Sequence, residues 1–175
     1  GLPWLQEIAL EKTYPTILSN FLYLQWAGYW IHLWLESFGD EGESQQAYRL
    51  LRLCLDALDL GLEPAWLVSW ADLQVSQLLG SAPQLQACVR CDSQVVERFS
   101  LESGGMLCRR CSSSHRGFLV EPAVIQWLRF LQRVPLARLT AGRPRPQEVL
   151  QVRQVMDRWM VGLFPKMERF LPGGV

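Results

Sequence analysis

The chain has little of what enzymes use. Only two of its 175 residues are His, at positions 32 and 115, and there is no P-loop, no glycine-rich dinucleotide turn and no Ser/His/Asp arrangement. We therefore read it as not an enzyme, with no catalytic residue to assign. No His-x-Glu occurs, so the zinc deaminase pattern, in which that Glu carries the proton, is excluded although C-x-x-C pairs are present. Net charge is also lacking: the formal charge is zero and the pI near 6.9, which rules out a uniformly basic nucleic-acid coat. No repeat array is visible. What is present is apolar, at 49% of residues with eight Trp, and such a chain buries enough surface to offset its ordering entropy. Its length suits one ordinary domain, or a domain with a small appended module.

The neutral average hides a division. Residues 1–87 carry three basic and ten acidic side chains, whereas residues 88–175 carry fourteen basic and seven acidic. Fifteen of the seventeen basic residues are Arg, whose planar fork suits phosphate and carboxylate. An anionic partner is expected to meet the second half; the competing reading is that these Arg form salt bridges or simply solvate helix faces.

Four of the five Cys stand as C-x2-C-x16-C-x2-C: Cys88, Cys91, Cys108 and Cys111. Two residues between paired Cys let one tight turn aim both sulfurs at a point, and a tetrahedral zinc ion takes four thiolates at about 2.3 Å. The gap is long enough for a hairpin, with Val95, Val96, Arg98, Phe99 and Ser100 as one strand, Gly104 and Gly105 as the turn, and Met106 with Leu107 returning. The spacing predicts one structural Zn2+ held by these four Cys in a zinc-ribbon-like module. Two disulfides are the alternative, but they need an oxidising compartment and no secretory leader is visible. Four thiolates close the coordination shell, which argues against a catalytic ion. His115 could replace one Cys, or be an exposed loop residue. Cys54, flanked by leucines, reads as a small core residue.

The uncharged run from Thr13 to Leu35 raises a membrane span as a rival. Ser19, Asn20, Gln25, Gly28 and His32 interrupt it, and no positive flank sets an orientation. We read instead a central helix from Pro15 to Phe38, buried on most sides, with Leu18, Phe21, Leu22, Gln25 and Tyr29 at helical spacing. His32 then reads as a hydrogen-bonded core or boundary residue without chemistry. After an acidic turn over residues 39–43, a second helix starts at its cap Ser44 and runs to Leu60, stopped by Gly61. A third begins at Pro64 and ends near Leu79 before Gly80. A fourth opens at Glu121 and Pro122, with Val124, Trp127, Leu128 and Leu131 on one side and Arg129 and Arg133 on the other. The stiff, basic Arg143-Pro144-Arg145-Pro146 leads into a last helix from about Gln147 to Leu163. The fold class is all-α, a helical bundle with an inserted β-hairpin zinc module: residues 15–82 and 117–171 form the helical domain, 83–116 the module, and 1–14 a linker or the remnant of a preceding domain.

These residues acquire a resemblance. The stretch from Gln77 through Leu78, Leu79, Gly80, Pro83 and Leu85 to Cys88, followed by Phe99, Ser100, Gly104, Gly105, Cys108 and Cys111, resembles the zinc segment of the bacterial RecO family of DNA repair proteins. The order of helices before and after is similar, including Gly162, Lys166, Arg169 and Phe170. The resemblance implies a recombination mediator that binds single- and double-stranded DNA, anneals strands, contacts the tail of the single-strand-binding protein SSB, and works with RecR to load RecA, in the cytoplasm at the bacterial nucleoid and not in a membrane. It also implies an N-terminal OB-fold; no barrel-like run precedes the first helix here, and Trp4 to Tyr14 reads as the joint after such a barrel. For the DNA-facing strip the candidates are Arg90, Arg98, Arg109, Arg110 and Arg116 around the zinc, and Arg129, Arg133, Arg138, Arg143 and Arg145 beyond it. An SSB tail, acidic and aromatic, would need an apolar groove with a nearby Arg. From a different class, the domain could be a zinc-stapled protein-interaction scaffold without DNA affinity.

Overall fold

A computed structural model of the chain describes residues 12–39 and 45–172. The acidic turn, the cap Ser44 and most of the 1–14 segment lie outside the described residues.

Pro15–Ser19 forms a single-turn helix, α1, and Phe21–Phe38 the long helix α2. Periodicity alone predicts one helix over Pro15 to Phe38. Asn20 divides them: its backbone is extended, and its side chain accepts from the backbone N–H of Leu22 and Tyr23, capping α2. The first turn of α1 is held from outside, because Asp59 Oδ1 accepts from the N–H groups of Thr16 and Ile17. The break changes which face turns inward. Of the five residues expected inside, only Tyr29 is buried, while Leu18, Phe21, Leu22 and Gln25 face solvent. The buried face carries Trp26, Ala27, Tyr29, Trp30, Leu33 and Trp34 instead. His32 is exposed and stacks on Phe170 at 3.7 Å rather than hydrogen-bonding in the core. No helix among the described residues is long and apolar enough to cross a membrane.

Helix α3 spans Gln45–Asp59 and α4 spans Pro64–Leu78. Gly61 and Gly80, at φ 84° and 68°, supply the left-handed residues that end them. Glu63 caps α4 by accepting from Ala65 and Trp66 N–H. Helix α4 is central: ten of its residues are buried, including Ser69, Asp72 and Ser76. It packs between α3 and α6, with α5 (Pro122–Arg133) on a further side and α6 (Pro146–Leu163) closing the bundle. Cys54 of α3 is fully buried, and burial raises its thiol pKa, in keeping with a core role. Pro165–Phe170 makes a 3-10 segment that returns across α2 and α6, with Lys166 2.9 Å from Glu36.

Between α4 and α5 lies a three-stranded antiparallel sheet in the order β2-β1-β3, from Arg98–Ser100 (β1), Gly105–Leu107 (β2) and Phe118–Leu119 (β3). The hairpin falls where the sequence places it, but its first strand begins only at Arg98, leaving Val95 and Val96 outside, and Gly105 belongs to β2 rather than to the turn, which Gly104 ends. The third strand, two residues long, carries too short an alternation to read. Phe99 is fully buried and meets Met106 and Phe118 in register on either side. Its ring meets Trp159 of α6 edge-on at 5.6 Å, so the sheet is anchored in the bundle core.

Candidate metal centre and cationic face

Two tight turns carry the cysteines. In the first, Asp92 N–H reaches Cys88 O at 2.9 Å and Asp92 takes a positive φ of 57°; in the second, Ser112 N–H reaches Cys108 O at 3.0 Å. The hairpin β1–β2 sets the turns opposite each other, and Val89 N–H donates to Met106 O. All four sulfurs then lie within 4.8 Å of one another, with Cys91 Sγ and Cys108 Sγ 3.6 Å apart. Thiolates at about 2.3 Å from a tetrahedral ion are about 3.8 Å from each other, so the donor set fits a metal ion of zinc's size. The electrostatics fit as well. Burial pushes the Cys88 thiol up, but backbone N–H groups of Cys108, Arg90 and Cys91 outweigh it and bring the thiol to about 6. Cys108 is lowered too, chiefly by the Cys111 N–H. Cys111, sharing a hydrogen bond with Cys91 and partly desolvated, is pushed up to about 12. Sulfurs this crowded cannot all be thiolates without a cation between them. His115 is not in the cluster; its Nδ1 lies 3.4 Å from Arg90 Nη2.

The approach to this module is built for close contact. Gln84 forms a bridge along the outer edge of β2, donating to Gly104 O and accepting from Met106 N–H. A Cβ on Gly105 would lie 2.3 Å from Gln84 O, so only glycine admits this linker. From α5, Arg129 donates to Leu85 O and Gln86 O, and Gln132 donates to Pro83 O. Arg129 is thereby spent on backbone carbonyls, and Arg98 likewise donates from Nε to Gly117 O at 3.0 Å.

The ten candidate arginines divide by environment. Arg90, Arg109, Arg110, Arg116, Arg133, Arg138, Arg143 and Arg145 are exposed, and Arg98 and Arg129 are half-buried. Among the described residues, only Arg145 pairs with a carboxylate, Glu148, at 3.7 Å. Among the described residues, no carboxylate of the acidic half pairs with any of the other nine. Arg110 faces Cys91 and Cys111, whose sulfurs raise its pKa. A carboxylate-free cleft of about 400 Å3 opens between Arg98, the serines Ser112, Ser113 and Ser114, and Arg116. Sequence reasoning missed Arg158, which lies over the Phe118 ring at 4.6 Å; no spacing rule links a residue of α6 to a strand forty positions earlier.

A second cleft, about 380 Å3 and mostly apolar, lies where α4 begins and α6 is entered. Leu62, Trp66, Leu139 and Val149 line it, with Arg143 and Glu63 among its polar groups.

Comparison with known proteins places this arrangement. Residues 18–161 match the family described as "Recombination protein O C terminal". A DNA repair protein RecO from an Exiguobacterium species is 34% identical over 175 residues, covering 98% of this chain and 70% of that relative. One from Bacillus pumilus is 25% identical over 176 residues, covering 98% and 69%. One from Rubrobacter xylanophilus is 35% identical over 105 residues, covering 57% and 42%.

Proposed function

The chain belongs to the RecO family of DNA repair proteins, and from that premise we propose that it is a recombination mediator that binds DNA through the face carrying its metal module. One structural Zn2+, held by Cys88, Cys91, Cys108 and Cys111, fixes the turns from which Arg90, Arg109, Arg110 and Arg116 project. The observation that carries this reading is that these four arginines are exposed and lack carboxylate partners among the described residues. Guanidinium groups so placed neutralise phosphates and release counterions. Arg133, Arg138 and Arg143 extend the cationic surface, whereas Arg98 and Arg129 chiefly hold the backbone on which it stands.

The apolar cleft beside Arg143 suits the tail of the single-strand-binding protein, its aromatic end against Trp66 and Leu139 and its acidic groups toward the guanidinium. Binding that tail and DNA together, the protein would work in the cytoplasm at the nucleoid, with RecR, in strand annealing and RecA loading.

Fluorescence anisotropy of a labelled single strand, titrated across a salt series beside an SSB tail peptide, tests this. Affinity should fall steeply with salt, each phosphate met adding about 0.7 to the logarithmic slope. Arg143→Glu should abolish peptide binding and spare most DNA binding. Absent or salt-insensitive DNA binding would favour a zinc-stapled scaffold instead.

A further inference from the structure

We propose that the cleft between β3 and α6 is a slot for an unpaired nucleobase of single-stranded DNA, with Arg158 as its stacking platform. This rests on the DNA-binding reading above and adds to it a reason to prefer single strands.

The cleft encloses about 300 Å3, and its walls include Phe118, Leu119, Glu121, Gln151, Gln154 and Arg158. The Phe118 ring packs on Phe99 at 5.7 Å, and the Phe99 ring in turn meets Trp159 edge-on. On Phe118 lies the Arg158 guanidinium, 4.6 Å from the ring centroid. Arg158 is exposed and has no carboxylate partner among the described residues. A planar cation lying over an aromatic ring and open to solvent offers every base a π-face to stack on. Leu119, on the exposed side of β3, adds an apolar wall.

The polar groups point to a base rather than a phosphate. Glu121 sits in the wall, its Oε1 accepting from Gln151 Nε2 at 2.8 Å. A carboxylate there repels a phosphodiester but accepts from the N–H groups of a base edge, an exocyclic amine or the imide N–H of thymine. Gln154 is exposed and its amide has no partner among the described residues, so it offers a donor and an acceptor to a base edge.

The neighbouring cleft supplies what this one lacks. Gly117 lines the Arg98–Ser114–Arg116 cleft, which holds two arginines, serine hydroxyls and no carboxylate, and Phe118 lines the base slot. Consecutive residues thus face a phosphate site and a base site, the order in which a single strand presents its own backbone and base. A duplex fills only the first, because its bases are paired inside the stack.

The metal-loaded chain should be titrated with three labelled probes of equal length: a dT oligomer, an abasic deoxyribose-phosphate oligomer and a duplex. Arg158→Lys keeps the charge and removes the planar stack. We expect it to weaken dT binding roughly 5-fold or more while leaving abasic and duplex binding and the salt slope unchanged. Gln154→Ala, which leaves the Arg158–Phe118 stack intact, should weaken dT binding selectively as well, and stands in if the lysine variant misfolds. Loss spread equally over the three probes, or no loss in either variant, overturns the slot while leaving DNA binding standing. A wild-type chain that binds none of the probes overturns the DNA-binding reading itself, and the slot with it.

Discussion

Arg153 of α6 donates from Nη2 to Asp72 Oδ2 of α4 at 2.5 Å, and the two side chains are 7% and 0% exposed. Asp72 also accepts from the Tyr29 hydroxyl, and Arg153 donates from Nε to Asp157. One buried contact thus joins α2, α4 and α6. Replacing Arg153 alone would leave a carboxylate in the core without its cation, a change that costs about 3–5 kcal/mol. Arg153→Met is expected to lower stability by that much in urea unfolding, and the double variant Asp72→Leu/Arg153→Met to recover most of it. A double variant as unstable as the single one would show that the pair supplies net stability rather than helix register.

The same carboxyl gives a pH dependence. Burial pushes Asp72 up to about 6 against the pull of the Arg153 charge. In the unfolded chain an Asp titrates at about 3.9. Between those values the native state holds a proton that the unfolded chain releases, so the contribution of this group is full below about pH 4 and is lost as pH rises through 6. The stability of the wild type minus that of Asp72→Asn should therefore fall from pH 4 to about pH 7 and level off above. A difference that stays flat would contradict it. Taking the difference cancels carboxylates such as Asp56, which its hydrogen bond with Lys12 chiefly lowers and whose stability is instead lost as the pH falls.

Metal content should be one zinc per chain in protein purified under reducing conditions, and Cys108→Ser should lower both occupancy and Tm. If the clamp contributes about 2 kcal/mol, Tm falls by about 5 °C for a chain of this size. Elemental analysis and calorimetry check the two together; a variant with wild-type metal and Tm would remove Cys108 from the centre.

Gly105→Ala tests the close approach of the linker. Its Cβ would press on the Gln84 backbone on an edge already at φ 157°, so the linker must leave β2. We expect a loss of about 1–3 kcal/mol with weakened zinc retention. Gly104→Ala, whose Cβ meets nothing within 4 Å, isolates the cost of φ 76° alone and should be milder.

Much of this was legible in the residues. The cysteine spacing, the glycine stops at Gly61 and Gly80 and the proline starts at Pro64 and Pro122 are local signals, and the elements lie where they point. What failed was the inward face of α2. Apolar residues surround that helix, so periodicity could not choose a side; the Asn20 cap and the packing of four Trp and Tyr rings made the choice. The ion pair of Asp72 and Arg153 was also invisible, since nothing in an 81-residue separation marks two charged residues as partners. For the site, spacing found the sulfurs, but it could not tell arginines that hold carbonyls, such as Arg129, from those with no carbonyl or carboxylate partner among the described residues.

Phe99 has a last consequence. Its ring ends against Trp159 in the bundle, while its own strand is flanked by the turns that bear the thiols. Heating should therefore yield a single calorimetric peak whose position shifts with zinc concentration. The indole of Trp159 would serve as a built-in gauge, its emission tracking how fully the sulfurs are loaded although it touches none of them.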